Sequence, residues 1–367
     1  MCRSNGTFVV LVTGGAGFIG SNFVRYLLQR DARVRVVNLD ALTYAGSLEN
    51  LTDLQPEGAS PRHTFIRGDL RNQELMENVL RENKIDTIVH FAAETHVDRS
   101  ILDPSAFIQT NVVGTLTLLE AARKIWLSAD AHSDAQLRFH HVSTDEVYGS
   151  LAPGEAAWSE TASYAPNSPY AASKAASDHL VRTYGHTYGL PYTLSNCSNN
   201  YGPRQFPEKL IPLMILNALS GKPLPIYGDG QQIRDWLFVD DHCEAIYSIL
   251  TRGAPGETYN IGGGNQPPNL TIVKTICDIL DELQLGLPHH ELITFVPDRP
   301  GHDRRYALDI TKVHRDLGWS PRHSLAEGLL ETVHWYLDHP EWIQAIKQQP
   351  DYETWLDKNY THREGHT

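Results

Sequence analysis

Between Phe139 and Ser150 the chain reads FHHVSTDEVYGS, and two acids, Asp145 and Glu146, stand side by side behind the hydroxyl of Thr144. Neighbouring carboxylates repel, which raises the pKa of one of them, so a single place can hold one acid and one base. That suits a step in which a proton leaves one carbon and another is delivered to an oxygen departing from the next. On these residues alone, a solvated strand end is the competing reading. Further on, YAASK sets Tyr170 and Lys174 four residues apart, on one helical face. A tyrosine with a pKa near ~10 is a weak base at neutral pH, and a nearby ammonium and a cationic ring would favour its phenolate. Such a group can take the proton of a sugar hydroxyl while hydride leaves the same carbon; a surface Tyr–Lys pair is the alternative.

Hydride needs an acceptor. VTGGAGFIG places Gly14, Gly17 and Gly20 at a strand–helix junction, where missing side chains let main chain approach a pyrophosphate and a helix N-terminus supplies N–H donors. The spacing is GxxGxxG rather than GxGxxG. Asp40 closes the second apolar run, twenty residues after Gly20. A carboxylate there accepts from both ribose hydroxyls and repels a 2′-phosphate, which favours NAD over NADP. Asp69, in IRGDL, is expected near the adenine, with an ordinary loop aspartate as the alternative.

These residues require elements to carry them. Short apolar runs (TFVVLVTG, RVRVVNLD, KIDTIVHFAA, LRFHHVST, PYTLSN) alternate with amphipathic ones (FIGSNFVRYLLQR, NQELMENVLREN, SPYAASKAASDHLVRTYGHTYG). PSAFIQTNVVGTLTLLEAARKI reads as one long helix, and Ser168 and Pro169 as N-cap and first residue of the helix that carries Tyr170. Alternation of this kind predicts an α/β fold, a Rossmann-type doubly wound parallel sheet. After residue 200 Pro and Gly rise, which predicts a smaller mixed α/β C-terminal lobe built on long loops. The expected division is 1–200 for the dinucleotide-binding domain, with a returning segment near 235–260, then 201–340 for the substrate lobe and 341–367 for a tail of unassigned role.

The chain has 367 residues, 41% hydrophobic and 20% charged, with a net charge of −13. Such acidity argues against nucleic acid as a partner. It allows an anionic small ligand wherever local basic residues dominate. No apolar run is long enough to predict a membrane span, and MCRSNG leads straight into a strand-like run without a signal-peptide pattern. Four cysteines without CxxC spacing read as reduced thiols of a cytoplasmic protein, and the scattered histidines predict no metal site.

With these patterns in hand, the chain resembles the extended short-chain dehydrogenases/reductases that act on nucleotide sugars, and within them the 4,6-dehydratases. The resemblance runs over residues 7 to 340. It is carried by TGGAGFIGSNF, NLDALTYAG, HFAAETHVDRSI, STDEVYG, SPYAASKAASDHL, NCSNNYGPRQFPEKLIP, YGDGQQIRDWLFVDDH and DRPGHDRRYALD. It implies a lyase that oxidises C4 of the hexose, removes water across C5 and C6 and returns hydride to C6, with NAD tightly bound and regenerated each cycle. Glu146 would be the base, Asp145 the acid, Tyr170 with Lys174 the oxidation pair, and Thr144 the partner of the C4 oxygen. The resemblance also implies that Gly14, Gly17, Phe18, Ile19, Gly20, Asp40, Ala41, Leu42, Thr43, Asp69, Leu70, Phe91, Ala92, Ala93, Thr95, Thr110, Tyr170, Lys174 and Asn200 hold the cofactor. Thr95, Thr144, Asn199, Glu208, Lys209, Leu210, Pro225, Tyr227, Arg234, Asn269, Asp298, Arg299 and His302 would hold the nucleotide sugar, with dTDP-glucose expected. Pro225 and Tyr227 would frame the base, and Arg234 and Arg299 are the forks best suited to phosphate oxygens. A homodimer is implied through helices near 104–125 and 169–188. The alternatives are a GDP-mannose or CDP-glucose 4,6-dehydratase, a 4-epimerase, or a dinucleotide-binding regulator without turnover. Epimerases typically carry small hydroxyl residues where Asp145 and Glu146 stand, and regulators usually lack the Tyr or Lys. For Asp98 and Arg99, beside Thr95, a salt network between helices is the competing reading.

Overall fold

The computed structural model describes residues 8–54, 62–128, 137–283, 288–298, 301–349 and 352. Strand β1 (Phe8–Thr13) is followed by helix α1 (Phe18–Arg30), β2 (Val34–Asp40), β3 (His63–Arg67), α2 (Gln73–Glu82) and β4 (Thr87–His90). Two short helices, α3 (Val97–Leu102) and α4 (Pro104–Phe107), lead through a π-helical segment (Ile108–Gly114) into α5 (Thr115–Trp126). Then come β5 (Arg138–Thr144), α6 (Pro169–Tyr188) and β6 (Tyr192–Cys197). The long helix expected from the sequence is therefore broken. Its wide turn lets Asn111 face inward, where its amide donates to Glu94 O (3.0 Å) and Ser173 Oγ (2.8 Å) and its carbonyl accepts from Glu94 N (2.8 Å). Such bulges are frequent at functional sites.

After β6 the chain adds β7 (Asn199–Tyr201), α7 (Leu210–Leu219), β8 (Leu224–Tyr227), β9 (Trp236–Phe238), α8 (Val239–Arg252), β10 (Thr258–Ile261), α9 (Asn269–Glu282), β11 (Ile293–Val296), α10 (Thr311–Leu317), α11 (Leu325–Asp338) and α12 (Pro340–Lys347). The main sheet has seven parallel strands in the order β10-β6-β5-β4-β1-β2-β3. β10 joins its edge from the second half of the sequence, and α8 packs on α1. The edge strand β3 escapes the sequence reading because it is five residues long, half exposed and without alternation. One face of the sheet packs a core with Phe23, Leu27, Ile246 and Trp319, and the other a core with Met76, Leu119, Phe139 and Val181.

The second lobe contains two short parallel pairs, β8 with β11 and β7 with β9, and a separate core drawn from α7, α9, α11 and α12. The tail has a partial explanation. Trp342 of α12 is buried and donates its Nε1 to Asn50 Oδ1 (2.8 Å), while Asn50 Nδ2 donates to Ala16 O (2.8 Å) in the glycine loop. Helix α6 begins as the sequence predicts: Ser168 accepts from Ala171 N (3.1 Å) and Pro169 takes the first turn. Such a cap is worth about 1 kcal/mol. The helix ends at Gly189, whose φ of 72° relieves the strain another residue would meet.

Candidate active site

The strand order reverses between β1 and β4, so their carboxyl ends open a crevice of the kind that receives ligands in open α/β sheets. Gly14 lies there at φ +72°, and a Cβ on it would sit 2.7 Å from the backbone of Ala92. A Cβ on Gly20 would sit 2.2 Å from Gly14 O. Gly17 caps α1 without a side-chain bond, and the helix has no acid in its first turn. Its N–H groups and the positive end of its dipole are thus available to an anion. Phe18 and Ile19 pack partly into the core behind. Asp40 accepts from Ala16 N (2.9 Å) and Leu42 N (2.8 Å), and burial raises its pKa. Leu42 adopts φ 56°, which turns Ala41 to Thr43 across the crevice mouth. This cradle fits a dinucleotide.

The remaining cofactor candidates are spread along the same edge. Phe91 packs on Phe23 (5.4 Å between centroids), Ala92 N reaches Thr13 Oγ1 (3.4 Å), and Ala93 continues the loop. Leu70 is buried against Gly114, and Thr110 lies in the π segment. Asp69, after β3, makes an ion pair with Arg71 (2.6 Å).

At the carboxyl end of β5, Thr144 caps a short 3-10 turn (Asp145–Tyr148) by accepting from Glu146 N (3.3 Å). That turn brings the adjacent acids into different surroundings. Asp145 is 2% exposed, whereas Glu146 is partly exposed. Burial first, then Glu146 and Asp235, push the Asp145 carboxyl well above its usual range, and Arg234 opposes them. Of the two acids, Asp145 is thus the one whose surroundings favour the protonated form. One of its oxygens, Oδ2, is buried without a hydrogen-bond partner.

Tyr170 is also buried. Its phenol is raised well above the ordinary value by burial, then Glu146 and Cys197, against a hydrogen bond to Thr144. Lys174 Nζ donates to Val142 O (2.9 Å), and burial followed by nearby acids pushes the Tyr170 phenol up. Thr144, Asp145, Glu146, Tyr170 and Lys174 nevertheless converge on one place between β5 and α6.

The second lobe closes this place from the other side. Arg234 is buried, donates to Ile233 O (2.8 Å) and Asp303 O (2.9 Å), and lies 4.3 Å from the Tyr306 ring centroid. Glu208 is buried between Arg99 (3.4 Å) and His96 (3.6 Å), and Arg99 also stacks on Tyr44 (4.1 Å), whose hydroxyl meets Thr95 Oγ1 (3.4 Å). Arg99 thus belongs to an ion-pair network. Lys209 and Leu210 start α7. Asn199 and Asn269 each keep a buried Oδ1 without a partner, and Asn200 Oδ1 accepts from His242 (2.8 Å). Asp298 pairs with His302 (2.6 Å) and accepts from Gln232 Nε2 (2.8 Å); the His302 ring meets Tyr227 edge-on, and Pro225 lies on the same strand as Tyr227. Arg299 lies outside the described residues.

Several neighbours had no signal in the sequence strong enough to select them. Asn111 is a polar residue inside an apolar helical stretch, and that contrast is the one hint available. Asp235, Tyr306 and Cys197 surround Asp145 and Tyr170 only through tertiary packing. Among the described residues no cluster of histidine, cysteine and acids could hold a metal ion, and no helix is long and apolar enough to cross a membrane.

The chain matches the family described as GDP-mannose 4,6 dehydratase over residues 11–332. It is 56% identical over 342 residues to a dTDP-glucose 4,6-dehydratase of Neisseria meningitidis, covering 92% of this chain and 95% of that one. Among solved structures, DesIV (dTDP-glucose 4,6-dehydratase) from Streptomyces venezuelae, with NAD and dTDP bound, aligns at TM-score 0.83 with 47% identity, covering 93% of this chain and 100% of that one. A UDP-glucose 4-epimerase from Thermotoga maritima aligns at TM-score 0.79 with 30% identity, covering 91% of this chain and 100% of that one.

Proposed function

We propose, for a chain that belongs to the GDP-mannose 4,6 dehydratase family, that it acts as an NAD-dependent hydro-lyase and converts dTDP-glucose to dTDP-4-keto-6-deoxyglucose and water. Relatives named for dTDP-glucose are 52–56% identical over at least 92% of the chain, which favours the thymidine nucleotide over the guanosine one in the family's description. The observation that carries the reading is the buried Asp145, shifted toward its protonated form, next to the more exposed Glu146, both beside Tyr170. An epimerase needs the oxidation but has no use for an acid and a base in that position.

Bound NAD supplies the acceptor for the C4 hydride and the donor that later returns it to C6. Gly14, Gly17 and Gly20 with the start of α1 receive its pyrophosphate, and Asp40 accepts from its ribose. Ala41 to Thr43, Asp69, Leu70, Phe91 to Ala93, Thr95, Thr110 and Asn200 line the rest. The Lys174 ammonium and the positive nicotinamide ring would favour the Tyr170 phenolate against the burial that raises it, and that phenolate takes the C4 hydroxyl proton as hydride leaves the carbon, while Thr144 hydrogen-bonds the oxygen as it becomes a ketone. The ketone makes the C5 proton acidic. Glu146 then removes it while Asp145 protonates the leaving C6 hydroxyl, and Glu146 finally returns its proton to C5. Asn199, Glu208, Lys209, Leu210, Arg234, Asn269, Asp298, Arg299 and His302 hold the nucleotide diphosphate, with Pro225 and Tyr227 framing the base.

Exposed Ile101, Leu102, Ile108 and Leu116, carried by α3, the π segment and α5, support a homodimer through this face. Sedimentation at the mass of a single chain would remove that part of the reading. Three buried free cysteines suit a reducing cytoplasm.

Purified protein given dTDP-glucose without added cofactor should release a product lighter by one water. In heavy water, because the partly exposed Glu146 exchanges its proton with solvent before giving one back, that product should carry deuterium at C5. A product of unchanged mass would refute the elimination.

A further inference from the structure

The sequence leaves residues 341–367 without a role, and folding returns part of that stretch to the cofactor loop. Helix α12 is anchored in the core of the second lobe. Its Ile346 is buried, and the Trp342 ring packs edge-on against Trp335 (5.0 Å between centroids) and Tyr336 (6.0 Å) of α11. The indole N–H of Trp342 points out of that core and donates to Asn50 Oδ1 (2.8 Å). Such a bond is not automatic in this molecule, since the indole nitrogens of Trp158, Trp236 and Trp319 are buried without a partner.

Asn50 is 2% exposed and belongs to a 3-10 segment, Leu48–Leu54, that follows the turn of Ala41 to Thr43. Each of its polar groups is engaged. Its N–H donates to Ser47 O (3.1 Å), its carbonyl accepts from Arg25, and its side-chain Nδ2 donates to Ala16 O (2.8 Å). An indole nitrogen can only donate and a backbone carbonyl can only accept, so one orientation of the Asn50 amide serves both. Trp342 thereby fixes which end of that amide faces the glycine loop. Ser47 N donates to the same Ala16 carbonyl (3.0 Å), and Ala16 N donates to Asp40 Oδ2 (2.9 Å). The main chain of Ala16 is thus held on both sides. Its carbonyl, which would repel a phosphate, is turned toward Ser47 and Asn50, and directly after it Gly17 caps the helix whose N-terminus receives an anion.

We propose that Trp342 is a positioning residue for the cofactor: through Asn50 it holds the glycine loop in the shape that receives the NAD pyrophosphate, so that α12 is a latch that slows release of the dinucleotide. A loop already held in its binding shape avoids the ordering cost at the moment of binding. The latch suits a reaction in which the hydride removed from C4 comes back to C6, because a carrier lost between the two steps would strand the oxidised sugar. The inference rests on the NAD-dependent reading above.

The test follows release of labelled NAD from the loaded full-length protein during a chase with unlabelled NAD. Trp342→Phe keeps an aromatic ring and loses the donor. It should release NAD about fivefold faster, the worth of one buried hydrogen bond. Asn50→Ala keeps the Ser47 bond to Ala16 O and should release NAD at least as fast as Trp342→Phe. The double variant should be no faster than Asn50→Ala alone, because Trp342 acts through Asn50. A bond that served packing alone would lower the melting midpoint of the NAD-free protein and leave the release rate at the wild-type value. That result, or effects that multiply in the double variant, would overturn the proposal. If Trp342→Phe proved unable to fold, wild-type release from Asn50→Ala would overturn it alone. Wild-type protein that took up no NAD would instead sink the cofactor reading on which the latch depends.

Discussion

The two halves of the crevice are built on different principles. The cofactor edge, after β1 and β2, is made of main chain: Gly14 and Gly20 approach other backbone atoms too closely for any side chain, and Asp40 is held by two backbone N–H groups. The catalytic edge, after β5 and on α6, is made of buried ionisable side chains: Asp145, Tyr170 and Lys174 are each shifted by burial first and by charged neighbours second. Backbone dipoles do not titrate, so the glycine loop presents a constant field, with Asp40 the titratable member of that edge. The second is poised to exchange protons because its charges are costly to bury and balance one another.

The contrast can be broken at either side. The largest effect is expected from Glu146→Gln, which removes the C5 base and leaves the oxidation machinery intact. Water loss should drop by about 10²–10⁴-fold, the usual contribution of a general base, while reduced cofactor still forms on the enzyme. Dehydration at the wild-type rate would mean that another group takes the C5 proton. A smaller effect is expected on the cofactor edge. Gly20→Ala puts a Cβ 2.2 Å from Gly14 O, and relieving that overlap should cost about 1–3 kcal/mol of stability and weaken NAD binding. Because main-chain geometry is at fault, calorimetric affinity should fall by the same factor from acid to alkaline pH. A pH-dependent loss would show that a titrating group shares the pyrophosphate site.

The same division explains what could be read before the structure. The glycine loop, Asp40 and the Tyr–Lys spacing are local patterns, and a doubly wound parallel sheet followed from five alternating apolar runs, which are β1, β2, β4, β5 and β6 of its seven strands. The π segment around Asn111 was not legible, because a helix-period pattern does not reveal one wide turn whose cause is a contact with Glu94 and Ser173. The edge strand β3 was missed for want of a buried face. In the second lobe the sequence offered Arg234 as a phosphate fork, and the anchoring of that side chain on Ile233 O and Asp303 O is tertiary detail that no local pattern announces.

By itself the sequence determined which chemical groups this protein owns and, through spacing along strands and helices, which edge of the sheet they occupy. Tertiary structure alone decided their charge. Asp145 and Glu146 are neighbours in the chain with nearly the same intrinsic acidity, and one of them is enclosed with Asp235 while the other stays partly exposed. Likewise Lys174, four residues from Tyr170 in the chain, is buried with its Nζ donating to Val142 O. Proton affinity depends on desolvation and on charges brought close by folding, and neither is a property of a residue's place in the sequence.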